Sequence, residues 1–187
     1  MKKISWKSAL VGKLAVAAGT ACLLLFTLSA TVAHAQPIIT FDTLSGGEVP
    51  IPDGYANLQW DNFYTVNGET IYNGDSGYRA GVVSKNNVAF NAYGEPADVY
   101  VDSGTFTPIW AYLTAAWNDN LKVQVTGYLR GRMVFSHTYT LSATKPTLCI
   151  FGATVDELDF DSYGGTLHAG YDGGGEHFAM DNFFVVP

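Results

Sequence analysis

From Pro37 onward the chain is cut into short apolar or alternating runs by clusters of Gly, Asn, Asp and Pro at intervals of about 8–15 residues, a spacing that excludes long helices and suits an all-β sandwich. The clearest run sets Leu121, Val123 and Val125 in alternation with Lys122, Gln124 and Thr126. Residues 128–132 then turn the chain into 133–141, which predicts a hairpin with one solvated face. Further strands are expected over residues 38–41, 58–64, 87–92, 148–151, 156–160 and 178–186. The uncharged stretch 104–117, with Phe106, Trp110 and Trp117, reads as a strand buried on both faces or nearly so. Pro50 and Pro52 bar their segment from a central ladder. Asn67-Gly68, Asn73-Gly74 and Ser76-Gly77 make residues 66–79 a surface loop or short hairpin, and the Gly-rich residues 164–175 a long loop. No segment carries a convincing helix start.

The first 35 residues follow a different rule. Lys2, Lys3, Lys7 and Lys13 precede an uncharged apolar stretch that ends in Ala33-His34-Ala35, a small-x-small cleavage pattern. This predicts a signal-peptide helix over residues 1–35, a single β-sandwich domain over 36–187, and a secreted or periplasmic product. Cys22 precedes the apolar Leu23-Leu24-Leu25-Phe26 run instead of following it, so a lipid anchor is not expected. Of 10 Lys+Arg, the four named lysines fall in the signal; the 6 that remain face 17 Asp+Glu, a formal −11 for the processed chain. Such acidity repels phosphate backbones and anionic lipid. Nucleic acid and membrane are therefore poor partners, whereas divalent cations and neutral polymers remain open.

Only Cys149 remains after processing, between Leu148 and Ile150, so no internal disulfide is available and a buried strand cysteine is expected. His137, His168 and His177 lack the close spacing of a zinc site.

Three constellations can carry chemistry. In a jelly roll the terminal strands commonly lie side by side, so Asp42 and Asp181 could converge with backbone carbonyls into an oxygen cage for a structural Ca²⁺. In the run 156–161, alternation projects Glu157, Asp159 and Asp161 from one strand face. That strand resembles the acid-hydrophobe-acid strand of laminarinase-like retaining glycosidases, with Glu157 and Asp161 as the carboxylate pair, although Asp161 is one methylene shorter than that family's acid/base glutamate. Alternation of Leu158 and Phe160 into a core explains the same pattern without catalysis.

The third constellation is aromatic, since ring faces stack on the apolar C–H faces of sugars. Trp60 and Tyr64 in the 58–64 strand, and Tyr55, Tyr78 and Tyr171 in Gly-rich surroundings, are the expected glycan contacts. Strand alternation puts Trp60 and Phe63 on opposite faces, so one of the two should lie outside.

The segments Ile39-Thr40-Phe41-Asp42, Ile51-Pro52-Asp53-Gly54-Tyr55, Leu58-Gln59-Trp60-Asp61-Asn62-Phe63-Tyr64, Ala115-Ala116-Trp117-Asn118-Asp119, Asp161-Ser162-Tyr163-Gly164-Gly165-Thr166 and His177-Phe178-Ala179-Met180-Asp181-Asn182-Phe183 together resemble a family of secreted β-sandwich proteins that includes exosortase-sorted and fungal members. The resemblance spans essentially the whole processed chain. It implies a galactose-binding-like jelly roll of the kind used by carbohydrate-binding modules, with a calcium tying first strand to last at Asp42 and Asp181. Exosortase-sorted relatives continue into a Pro-Glu-Pro tail and an apolar span, whereas this chain stops at Val185-Val186-Pro187, so no anchor is expected.

The function expected from sequence is an exported, non-catalytic, monomeric module that binds extracellular or cell-wall glycan. The alternatives are a structural matrix or surface-assembly protein, and a retaining glycosidase using Glu157 and Asp161.

Overall fold

The structure is a computed structural model that describes residues 38–187; the expected signal segment lies outside the described residues. Alternating apolar residues drive almost every described element into an antiparallel strand. One sheet runs in the order β1 (Gly47–Pro50), β3 (Phe63–Asn67), β4 (Asn87–Asn91), β13 (Phe178–Val186), β6 (Thr107–Ala115), β10 (Thr147–Ile150). The other runs β2 (Gln59–Asp61), β5 (Ala97–Tyr100), β11 (Glu157–Tyr163), β8 (Leu121–Leu129), β9 (Arg132–Leu141). A small ribbon pairs β7 (Asn118–Asp119) with β12 (Thr166–Leu167). Apart from the ribbon strands, the chain crosses between the two sheets at every step except β3 to β4 and β8 to β9, which makes the fold a jelly-roll sandwich.

Inward-facing residues of the two sheets form the core. Phe63, Leu113, Phe178 and Met180 come from the six-stranded sheet, and Val99, Val125, Leu158 and Phe160 from the five-stranded one. Phe63 meets Phe160 edge to face at 5.5 Å, and burial of one such ring contributes about 2 kcal/mol. The expected hairpin forms between β8 and β9. Its two turn residues, Arg130 and Gly131, both take positive φ (54° and 69°), the geometry that matches strand twist in a two-residue turn.

Four local expectations need correction. Residues 38–41 contribute only the Ile39–Phe183 bridge, with both N–H···O bonds at 2.9 Å, because Phe41 turns to φ 61° and ends the extended run. Strand β6 is buried on one face; Trp110 and Tyr112 stand half-exposed on the other. Strand β5 adds an element that its four residues were too short to announce. The 66–79 loop contains a one-turn helix, α1 (Gly77–Ala80), and lies against the sheet. Among the described residues, no helix is long and apolar enough to cross a membrane.

Candidate functional site

The outer face of the six-stranded sheet carries a second apolar cluster. On β3 and β4 the residues out of phase with the core, Val66, Val88 and Phe90, join Ala179 of β13 beneath Tyr78 and Trp117. Tyr78 arrives on α1, which docks by donating the Gly77 N–H to Ala116 O at 2.8 Å. A Cβ on residue 77 would strike the Ala115 carbonyl oxygen, so only glycine allows this approach. Gly173 likewise lies flat on the Trp117 ring, where any side chain would collide.

Between the α1 loop and the Gly-rich loop lies a cleft of about 520 Å³. Tyr64, Phe90 and His177 line its sheet side, and Tyr72 and Tyr93 are its exposed aromatic walls, at 47% and 78% exposure. The rings brace one another. Tyr72 lies 4.9 Å from Trp117, Tyr78 5.4 Å from Phe90, and Tyr93 6.3 Å from Tyr64. Tyr64's phenol is raised above its ordinary range, chiefly by its hydrogen bond with Tyr93. Burial raises Tyr72 and, more strongly, Tyr78, and lowers His177, which favours a neutral imidazole. Among the described residues, Glu48 is the one carboxylate lining this cleft, and no Lys or Arg lines it.

The sequence-predicted aromatics separate. Tyr64 and Tyr78 reach the cleft, Tyr78 as an almost fully buried floor residue rather than an exposed platform. Trp60 does not: it is 5% exposed, packed edge-on to Phe41 and Phe63 at 5.6 Å, with its indole N–H donated to Tyr55 O at 3.0 Å. Phe63 is buried too. Residues 58–64 are not one strand: Asn62 takes φ 53° and passes the chain from one sheet to the other, so Trp60 and Phe63 both point inward despite their opposite parity. Tyr55 bonds Thr43 through its hydroxyl and packs on the main core, and Tyr171 donates to Ala143 O while resting on His168. Neither lines the cleft. The residues that sequence missed, Glu48, Tyr72 and His177, come from three further segments; Tyr72 stands before the Asn73-Gly74 turn, the one local hint of exposure.

Asp42 and Asp181 are brought to either side of Ser84. The fully buried Asp181 accepts the Val83 and Ser84 N–H groups on Oδ2, both at 2.7 Å, and its neighbour's N–H on Oδ1 at 2.7 Å. Burial raises the Asp181 carboxyl against the downward pull of these donors. Asp42 Oδ1 accepts the N–H groups of Asn86 and Asn87 at 3.1 and 3.2 Å, while the nearby carbonyls of Phe41 and Leu44 accept from the Asn87 amide. The N–H donors engage Asp181 Oδ2 and Asp42 Oδ1, whereas a calcium cage would need six to eight oxygens turned toward the ion. The first described segment and the last strand are both tied by hydrogen bonds to the loop after α1.

On the outer face of the five-stranded sheet, Asp61, Asp98 and Asp159 stand in one cross-strand row. One oxygen each from Asp98, Glu157 and Asp159 lie within 4.8 Å of one another, a group that could hold a cation. Burial, then Asp98 and Glu157, push the Asp159 carboxyl up to about 7, and Asp98 is raised by burial, Glu157 and Asp61. Glu157, but not Asp161, lines the acidic hollow beside this row. Asp161 is exposed opposite Gln124, and Leu158 and Phe160 fill the core between the acids. Burial pushes the Cys149 thiol up to about 12.

No protein-family model matches the chain, and no curated protein sequence matches it. Among solved structures it is similar to TmCBM61, solved in complex with beta-1,4-galactotriose: 7% identity, TM-score 0.44, covering 78% of this chain and 92% of that one. It is also similar to a Family 16 Carbohydrate Binding Module-2: 13% identity, TM-score 0.36, covering 68% of this chain and 86% of the other.

Proposed function

We propose that the protein is an exported, non-catalytic module that binds glycan in the aromatic cleft. The carrying observation is the pair of exposed tyrosines, Tyr72 and Tyr93, set on opposite loops around a cleft of about 520 Å³ and backed by buried rings. Exposed aromatics gathered over an apolar floor and rimmed by polar groups mark ligand-binding grooves. A sugar ring offers C–H faces to tyrosine and hydroxyls to the Glu48 carboxylate and the His177 imidazole. The signal-like N-terminal sequence and the acidity of the remainder support export and an extracellular or cell-wall polymer as partner.

Retention on immobilised polysaccharides tests the reading. Tyr64→Ala and Tyr72→Ala should each weaken retention by about tenfold, the upper end for one aromatic contact; equal retention of both variants, or no retention of the parent protein on any polymer, overturns it.

A second reading, self-assembly, is favoured by Met133 on edge strand β9 and by Leu148 and Ile150 on edge strand β10, all exposed. A size that grows with concentration on a sizing column, and reverts with Ile150→Lys, would support it.

A further inference from the structure

We propose that the cleft selects an ammonium-bearing glycan, a polymer of unacetylated amino sugars, with Glu48 as the charge partner of the first unit and Asp75 and Asp172 receiving the next. This inference rests on the glycan reading and adds the class of sugar.

Three features lead to it. First, the aromatic cleft does not end at Trp117. A second hollow of about 250 Å³ shares Tyr72, Trp117 and Gly173 with it and adds Asp75 and Asp172. Together the two are large enough for several sugar rings and, among the described residues, are lined by three carboxylates with no Lys or Arg. The nearest cation in sequence, Arg79, is already paired with Glu69 at 3.4 Å. A uronate or sulfated chain would meet like charge at each step, whereas an ammonium would meet an acceptor and, on the tyrosine faces, a favourable quadrupole.

Second, the cleft lining holds three of the twelve non-glycine residues with positive φ among the described residues. Glu48, Tyr72 and Tyr93 come from three separate segments, and each takes the left-handed conformation, with φ of 57°, 49° and 60°. Such angles are uncommon for any residue with a Cβ and are outliers for bulky ones, and they gather at ligand sites. Glu48 stands where β1 slips register between Gly47 and Val49, a bulge of the kind that re-aims a side chain. Glu48 and Tyr72 line the same cleft, so acid and ring border one space.

Third, His177 does not cancel the acids. Burial lowers its pKa and favours the neutral imidazole, leaving the cleft's one basic side chain without a fixed positive charge.

The test measures affinity by titration calorimetry in mildly acidic, low-salt buffer. The probes are four oligomers of equal length: glucosamine, N-acetylglucosamine, glucose and galacturonate. The glucosamine oligomer should bind about tenfold more tightly than the N-acetylated one, the range of a charge-assisted contact, and the galacturonate oligomer should bind least. Glu48→Gln combined with Asp75→Asn and Asp172→Asn should erase this order, bringing the glucosamine and N-acetylglucosamine oligomers to within about twofold of each other. Equal binding of the glucosamine and N-acetylglucosamine oligomers, or an order that survives the triple substitution, overturns the charge selection alone. Failure of all four to bind overturns the charge selection as well, and the glycan reading falls with it only where the parent protein is also retained on no immobilised polysaccharide.

Discussion

Ser84 donates its backbone N–H to the fully buried carboxylate of Asp181 at 2.7 Å, across 97 positions of sequence, and its hydroxyl to Asn182 Oδ1 at 2.7 Å. This contact fastens the loop after α1 to the last strand, and Asp42 joins from the first described segment through Asn86 and Asn87. Removing the carboxylate would leave the N–H groups of Val83, Ser84 and Asn182 without their acceptor. Asp181→Ala should therefore cost about 3 kcal/mol or more in urea unfolding. A loss below about 0.5 kcal/mol, the size of a surface effect, would mean that the hub does not hold the ends together.

The same donors decide the response to chelators. The N–H groups satisfy the two carboxylates without an ion, so excess EDTA should leave the melting midpoint of the unsubstituted protein unchanged. A fall of several degrees, restored by added calcium and absent in Asp42→Asn, would show that an ion completes this hub.

How much of this was legible in sequence depends on how far apart the cooperating residues lie. The β8–β9 hairpin could be read because Leu121, Val123 and Val125 alternate locally and Arg130-Gly131 supplies the turn. Strand β13 was equally clear from its apolar run and preceding glycines. The meeting of Asp42 and Asp181 followed from topology alone, but the N–H donors between them belong to a loop whose position no pattern revealed. Trp60 was misplaced because parity counting assumes one continuous strand, and the turn at Asn62 resets the phase. The cleft was least legible. Its walls come from β1, the α1 loop, the turn after β4 and the Gly-rich loop, and they assemble only because Gly77 and Gly173 permit close approach.

Asp159 should make stability depend on pH. Its carboxyl is raised to about 7 in the folded protein from an ordinary value of 3.8, so the folded state holds a proton that the unfolded chain releases. The contribution is fully present below the unfolded value and is lost as pH rises through the folded one, a window from about 4 to about 7. Asp159→Asn keeps a hydrogen-bonding amide and removes the charge. It should flatten that slope and stabilise the protein at pH above the window by about 1 kcal/mol, after allowance for solvent screening. An unchanged slope across the window in matched urea titrations would remove the carboxylate row as its source.

Tyr93 offers the sharpest separation of binding from stability. It is 78% exposed, so its ring contributes little to the core, while its φ of 60° imposes a cost of about 1–2 kcal/mol that the surrounding turn sustains. Asparagine tolerates that backbone far better. Tyr93→Asn should hold or raise the melting midpoint while weakening retention on whichever polysaccharide the parent protein binds. Tyr64→Ala, which removes a half-buried ring packed against Phe90, should lower both. If Tyr93→Asn instead lowers the midpoint and leaves retention intact, the residue serves the fold, and its exposed ring is no part of a binding surface.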